Sequence, residues 1–128
     1  MKRHNPEGVA GPFACYSHGI EVDEPVRFLF GAGQVGVDAL GRVGEDIEAQ
    51  ATLVWRNIES ILGDADMRID HMVQLTMLLL HREDYAAARE VRERALGEHR
   101  PASTLIYVNG LANPQWLIEI DFVAAAPR

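Results

Sequence analysis

Apolar positions recur along this chain with two different periods, and the places where the period changes mark its elements. Between residues 46 and 62, Ile47, Ala51, Val54, Ile58 and Ile61 return at steps of four and three, which lays them in one stripe of an amphipathic α-helix. Asp46 and Glu48 stand where the positive end of a helix dipole favours acids, and Gly63 is placed to cap the other end. The period then shortens to two. Val73, Leu75, Met77 and Leu79 alternate with Gln74 and Thr76, the pattern of a strand with one face on a core, while Leu78 and Leu80 make the second face partly apolar. A second helix is predicted from Asp84, as N-cap, to Leu96, with Gly97 beyond it. Tyr85, Ala88, Val91 and Ala95 form its inward side, and arginine and glutamate form the other.

The remaining segments read as strands. β-Branched and aromatic residues cluster at 16–22 and 26–30 around the turn-like Asp23-Glu24-Pro25, which predicts a hairpin, and Asp38-Ala39-Leu40-Gly41 makes the next turn. Residues 103–108 and 116–123 give two more strands joined by 109–115. In the last strand Ile118, Ile120 and Phe122 share one face, and Leu117, Glu119, Asp121 and Val123 share the other. The order ββαβαββ predicts an α+β domain with two helices on one face of a mixed sheet. Leu78, Leu80, Leu117 and Val123 would then lie on a bare face, which closed cyclic self-association would cover; periodicity does not choose dimer from trimer.

Composition narrows the possibilities. A chain of 128 residues, 48% hydrophobic and 24% charged, fits one folded domain spanning 1–128. No apolar run approaches the ~20 residues that cross a bilayer, and the first residues lack the apolar stretch of a secretory signal, so a cytoplasmic location without a membrane partner is expected. Cys15 is alone, and no His/Cys spacing suits a metal. A net charge of -7 opposes nucleic-acid binding. The one basic cluster, Arg89, Arg92, Arg94 and Arg100, is interleaved with Glu90, Glu93 and Glu98 and reads as a solvated helix face.

Few residues suggest chemistry by themselves. Gly31 to Gly36 spell G-x-G-x-x-G after an apolar strand, but Val37-Asp38-Ala39-Leu40-Gly41 follows as a turn where a dinucleotide site needs a helix to open. Close approach of backbone to a strand or ligand explains these glycines better. Glu119 and Asp121, two apart on a strand, point the same way and can serve as acid and base, or can be solvated. The five histidines show no ligand spacing, Ser103 and Thr104 lack an evident base, and Trp55 and Trp116 read as packing residues.

Four stretches together resemble the RidA/YjgF family, also labelled L-PSP endoribonuclease-like. They are Tyr16-Ser17-His18-Gly19, Gly33-Gln34-Val35-Gly36-Val37-Asp38, Arg100-Pro101-Ala102-Ser103-Thr104-Leu105 and Trp116-Leu117-Ile118-Glu119-Ile120-Asp121. The resemblance implies a chorismate-mutase-like fold, a homotrimer, and small-molecule clefts between subunits. It further implies cofactor-free hydrolysis of reactive imines and enamines to ammonia and a 2-keto acid. Tyr16, Gly33 and Glu119 match the family's pocket tyrosine, backbone glycine and water-positioning glutamate. Its carboxylate-clamping arginine is replaced by Ser103, and the serine often found before the pocket glycine by Ala32. Losing that clamp implies a changed substrate, since one hydroxyl suits an uncharged carbonyl, amide or imine better than an anion. Arg89 or Arg92 is a candidate replacement cation. The implied function is a divergent imine or enamine hydrolase with Glu119 orienting water and Tyr16, Gly33 and Ser103 contacting substrate. The alternative is a non-catalytic small-molecule-binding or regulatory trimer using the same clefts.

Overall fold

The computed structural model describes residues 1–128 and places two helices against one face of a four-stranded mixed sheet. Its strands are β3 (Val26–Val35), β4 (Met72–Leu79), β5 (Ala102–Tyr107) and β6 (Ile118–Pro127), in the order β3-β6-β4-β5. β6 runs antiparallel to both β3 and β4, and β5 runs parallel to β4. The parallel pair requires a crossover, which α2 (Tyr85–Leu96) supplies, and α1 (Ile47–Asp64) connects β3 to β4.

The period-two strands divide their side chains as predicted except at Val73, where Met72 enters the core instead because the β4–β6 register shifts between Met72 and Gln74. Leu75, Met77 and Leu79 of β4 and Ile118, Ile120 and Phe122 of β6 meet Ala51, Val54, Ile58 and Leu62 of α1 and Ala88, Val91 and Leu96 of α2 in one buried cluster. α1 starts where its charge pattern indicates, with the Asp46 side chain accepting a hydrogen bond from the Ala49 N–H at 2.8 Å. α2 ends at Gly97, whose φ of 58° suits glycine.

Three further expectations need correction. The segments around Asp23-Glu24-Pro25 do not form a hairpin. Instead β2 (Gly19–Glu21) pairs antiparallel with β1 (Lys2–His4), a strand the polar amino end did not suggest, so the order is βββαβαββ. Gly63 does not end α1, because the helix continues to Asp64 and Ala65 closes it through bonds to the Leu62 and Gly63 carbonyls. The basic helix face is not uniformly solvated: Arg92 is buried, at 2% exposure.

The face away from the helices is bare. In β3, Leu29 lies opposite Ala124 on the core side, while Phe28 and Phe30 lie opposite Ala125 and Val123 on the other side and stand 55% and 76% exposed. Their rings are 6.1 Å apart. Ile106 of β5 joins them on that face, and Leu78 and Val123 are half-buried there.

Candidate active site

Gly33 and Glu119 come together on the bare face near the end of β3. The β3–β6 register shifts between Gly31 and Gln34, which lays the Glu119 side chain over the Gly33 backbone. A Cβ at Gly33 would lie 2.5 Å from Glu119 Oε2, so only glycine leaves room for this carboxylate. Gly31 is needed in a similar way beneath the Phe122 ring, and Gly36 beneath Gln50. The G-x-G-x-x-G run is therefore largely strand, and no helix opens on it before Ile47. Asp121 sits opposite Thr76 on the same face as Glu119, one pair further along, and is exposed.

Two amides, one buried and one half-buried, fix this region. Gln50, 2% exposed, donates to the carbonyls of Gly44 (3.0 Å) and Gln115 (2.9 Å) and accepts from the Leu117 N–H (2.8 Å). It thereby ties the loop entering β6 to α1, two residues before Glu119. Asn57 donates to the Val35 and Val37 carbonyls at 3.2 and 3.0 Å, holding the chain where it leaves β3. Sequence reasoning missed both. A polar residue on or beside an apolar helix stripe was the available signal, since a buried amide must find partners.

Tyr16 and Ser103 come together elsewhere, at the outer edge of β5. Ser17 forms a parallel bridge with Ala102. Its N–H donates to the Pro101 carbonyl at 3.0 Å and its hydroxyl to the Arg100 carbonyl at 2.5 Å, so this segment runs along the edge strand. Tyr16 is thereby held beside Ser103, and its hydroxyl accepts from the Phe13 N–H at 3.3 Å, which leaves its own proton free to be donated. The Ser103 side chain lies opposite core residue Leu75 and so faces the helix side of the sheet. Phe13, Ala14, Tyr16, Tyr85, Arg92, Ser103 and Leu105 enclose a cavity of about 220 Å³. Two larger, shallower depressions, of about 420 and 270 Å³, follow α1 and the α1–α2 groove and contain none of the predicted site residues.

Arg92 dominates the electrostatics of this cavity. Its Nε and one terminal nitrogen are buried without a hydrogen-bond partner, and no carboxylate lies within 4 Å. A guanidinium does not shed its proton, and leaving one buried without a counter-charge costs on the order of several kcal/mol. The other arginines of the cluster are engaged. Arg89 binds Glu93 at 2.8 Å, Arg94 lies 3.8 Å from Glu48, and Arg100 donates to the Gly97 and His99 carbonyls. The Arg89 guanidinium, aided by the Cys15 thiol, holds the Glu93 carboxyl below the usual carboxylate range. Of the histidines, His99 donates from Nε2 to the Met72 carbonyl at 2.6 Å, a structural role. His4 meets Glu21 on the surface.

The predicted residues thus form two pairs, Tyr16 with Ser103 and Gly33 with Glu119, on opposite faces of one sheet. Within a single chain they do not share a cavity.

Comparison with known proteins agrees with this arrangement of elements. Residues 8–126 match the family described as Endoribonuclease L-PSP. A RutC family protein of Pyrococcus abyssi is 33% identical over 117 residues, covering 88% of this chain and 87% of its own length. AldR of Lactococcus lactis, named as a candidate regulator, is 31% identical over 98 residues, 75% of this chain and 77% of its own. The crystal structure of the Rid family protein YyfB from Yersinia pestis, described as of unknown function, superposes with a TM-score of 0.85 at 31% identity over 98% of both chains.

Proposed function

Because the chain belongs to the L-PSP endoribonuclease family, also called RidA/YjgF, we propose that it assembles as a homotrimer and hydrolyses small imines or enamines in clefts between subunits. The observation that carries this reading is the division of the site. Each half is built, with Gly33 shaped to seat Glu119 and the edge segment holding Tyr16 beside Ser103, yet the halves face opposite sides of one sheet. A second copy laid against the first can bring one copy's Glu119 to the other's Tyr16 and Ser103. The bare apolar face, with Phe28, Phe30 and Ile106 exposed, supplies the surface for such contact.

In the composite cleft the Glu119 carboxylate accepts a proton from water as its oxygen adds to the imine carbon. Glu119 returns that proton to the nitrogen to give a neutral carbinolamine, and then carries the hydroxyl proton to the nitrogen as the C–N bond breaks, releasing ammonia and leaving a carbonyl. An enamine substrate first takes a proton on its β-carbon. Tyr16 and Ser103 donate hydrogen bonds that orient the substrate, and no cofactor is called for. The acidic net charge of -7 weighs against RNA as substrate despite the family's description.

Imines generated in situ from several amino acids by an amino-acid oxidase test the reading, with ammonia release as the signal. The wild-type protein is expected to accelerate release, and Glu119→Ala to lower the rate at least a hundredfold. Equal rates for the two proteins would refute it. Ser103 at the place of the family arginine, together with the likeness to AldR, favours a second reading as a non-catalytic binder or regulator. A metabolite that raises the thermal midpoint and is recovered unchanged supports that reading, and turnover of the compound counts against it.

A further inference from the structure

Arg92 is the only buried arginine of the chain, and it has no partner. It projects from α2 into the cavity that also holds the Tyr16 and Ser103 side chains. We propose that Arg92 is the anion-binding residue of this cavity, so that the molecule bound there carries a carboxylate beside its reacting carbonyl or imine. The inference deepens the functional reading above, because it takes the Tyr16–Ser103 half as the substrate side.

Three observations support it. The adjacent acid, Glu93, is hydrogen-bonded by Arg89 and Cys15 and makes no ion pair or hydrogen bond with Arg92, whose guanidinium is left unpaired. The cavity offers about 220 Å³, enough for a compact acid, and its remaining walls are the apolar Phe13, Ala14 and Leu105 and the ring of Tyr85. The Ser103 side chain is short and its hydroxyl makes no hydrogen bond within the chain, so it leaves space in front of β5 that a guanidinium from the facing helix can serve. The cation has in effect moved from the strand to the helix, and the expectation of an uncharged substrate is reversed. A planar guanidinium pairs with a carboxylate through two parallel hydrogen bonds, and the Tyr16 and Ser103 hydroxyls remain for the neighbouring carbonyl or imine.

Calorimetric titration of the assembled protein with pyruvate and with its uncharged amide, pyruvamide, tests the proposal. Wild type is expected to bind pyruvate at least tenfold more tightly than pyruvamide. Arg92→Met is expected to lose about ten- to a hundredfold in pyruvate affinity with little change for the amide, and adding Ser103→Arg to that variant to restore part of the loss. If Arg92→Met does not fold, the wild-type protein still decides the matter. The slowly exchanging Nε–H resonance of its one buried arginine is expected to shift on adding pyruvate and to stay in place with pyruvamide. Unchanged pyruvate affinity in Arg92→Met, or no discrimination between acid and amide in wild type, overturns the proposal. So does a change confined to the mass of the assembly, which would assign Arg92 to a carboxylate of a neighbouring copy. Ammonia release by the wild-type protein separates the two readings. Arg92-dependent binding of pyruvate in a wild-type protein that turns over no imine refutes hydrolysis alone, whereas turnover with Arg92-independent binding refutes the anion site alone.

Discussion

One sheet presents two faces of opposite character, and they are built from the same strands. On the helix side, Leu75, Met77, Leu79, Ile118, Ile120 and Phe122 are all 1% exposed or less. On the other side Phe28 and Phe30 stand open to solvent, although each is one residue from core-facing Leu29. The chain completes the first face through its own helices, and it carries nothing that covers the second. Sequence periodicity therefore fixes which residues turn inward, while the function of the outward residues depends on what a second molecule brings. The candidate site inherits this division: Ser103 belongs to the helix side and Glu119 to the bare side.

The sharpest way to break the comparison is to injure each face once with a phenylalanine substitution. Phe122→Ala removes a fully buried ring from the centre of the core and is expected to cost about 3–5 kcal/mol, read as a lower urea midpoint. Phe30→Asp removes a ring of similar size from the bare face. Its expected effect is on sedimentation-equilibrium mass, which should fall to that of a single chain, with the circular dichroism of the folded protein retained. A Phe30→Asp protein of wild-type mass would show that the bare face is not where copies meet. Loss of structure in both variants would show that the faces are not independent.

A smaller effect is expected where the faces are tied together. Gln50→Leu keeps the side-chain volume but leaves the Gly44 and Gln115 carbonyls and the Leu117 N–H without partners, at about 2–4 kcal/mol for the three bonds. Because Leu117 precedes β6, imine turnover is expected to fall further than stability explains, since Glu119 loses its fixed approach to Gly33. Turnover unchanged at a temperature where the variant is fully folded would limit Gln50 to a structural role.

The sheet, both helices and most inward residues were legible because burial imposes a period on the sequence, and the start of α1 because its dipole favours Asp46 and Glu48. The pairing of Tyr16 with Ser103 was not. It depends on the Ser17 backbone joining the edge of β5 across more than eighty residues of sequence, and no local pattern encodes such a contact. The burial of Arg92, which the resemblance offers with Arg89 as a replacement cation, was hidden for a related reason. In the sequence this residue alternates with glutamates as a solvated face would, and only the turn of α2 over β5 shows that it faces a cavity while Arg89 faces Glu93. The hairpin failed because Asp23-Glu24-Pro25 is a good turn whose flanks found other partners, β1 on one side and β6 on the other.

The smallest expected effect tests how closely α2 fits the sheet side. An acid at a helix start ordinarily has its carboxyl pulled down by the dipole, yet burial pushes that of Asp84 up; its side chain makes no capping bond, and Oδ2 is enclosed without a partner. A carboxyl raised in the folded state favours folding while protonated. Its contribution is fully present below the unfolded value near 3.8 and is lost as pH rises through the folded value. Asp84→Asn does not titrate, so its stability relative to wild type should climb over that window and level off above it. Solvent screening at this half-buried position keeps the climb small. Urea melts of both proteins between pH 3 and pH 7 measure it (a window set by the ordinary carboxylate range), and a difference that shrinks with rising pH would mean that the dipole outweighs burial at the start of α2.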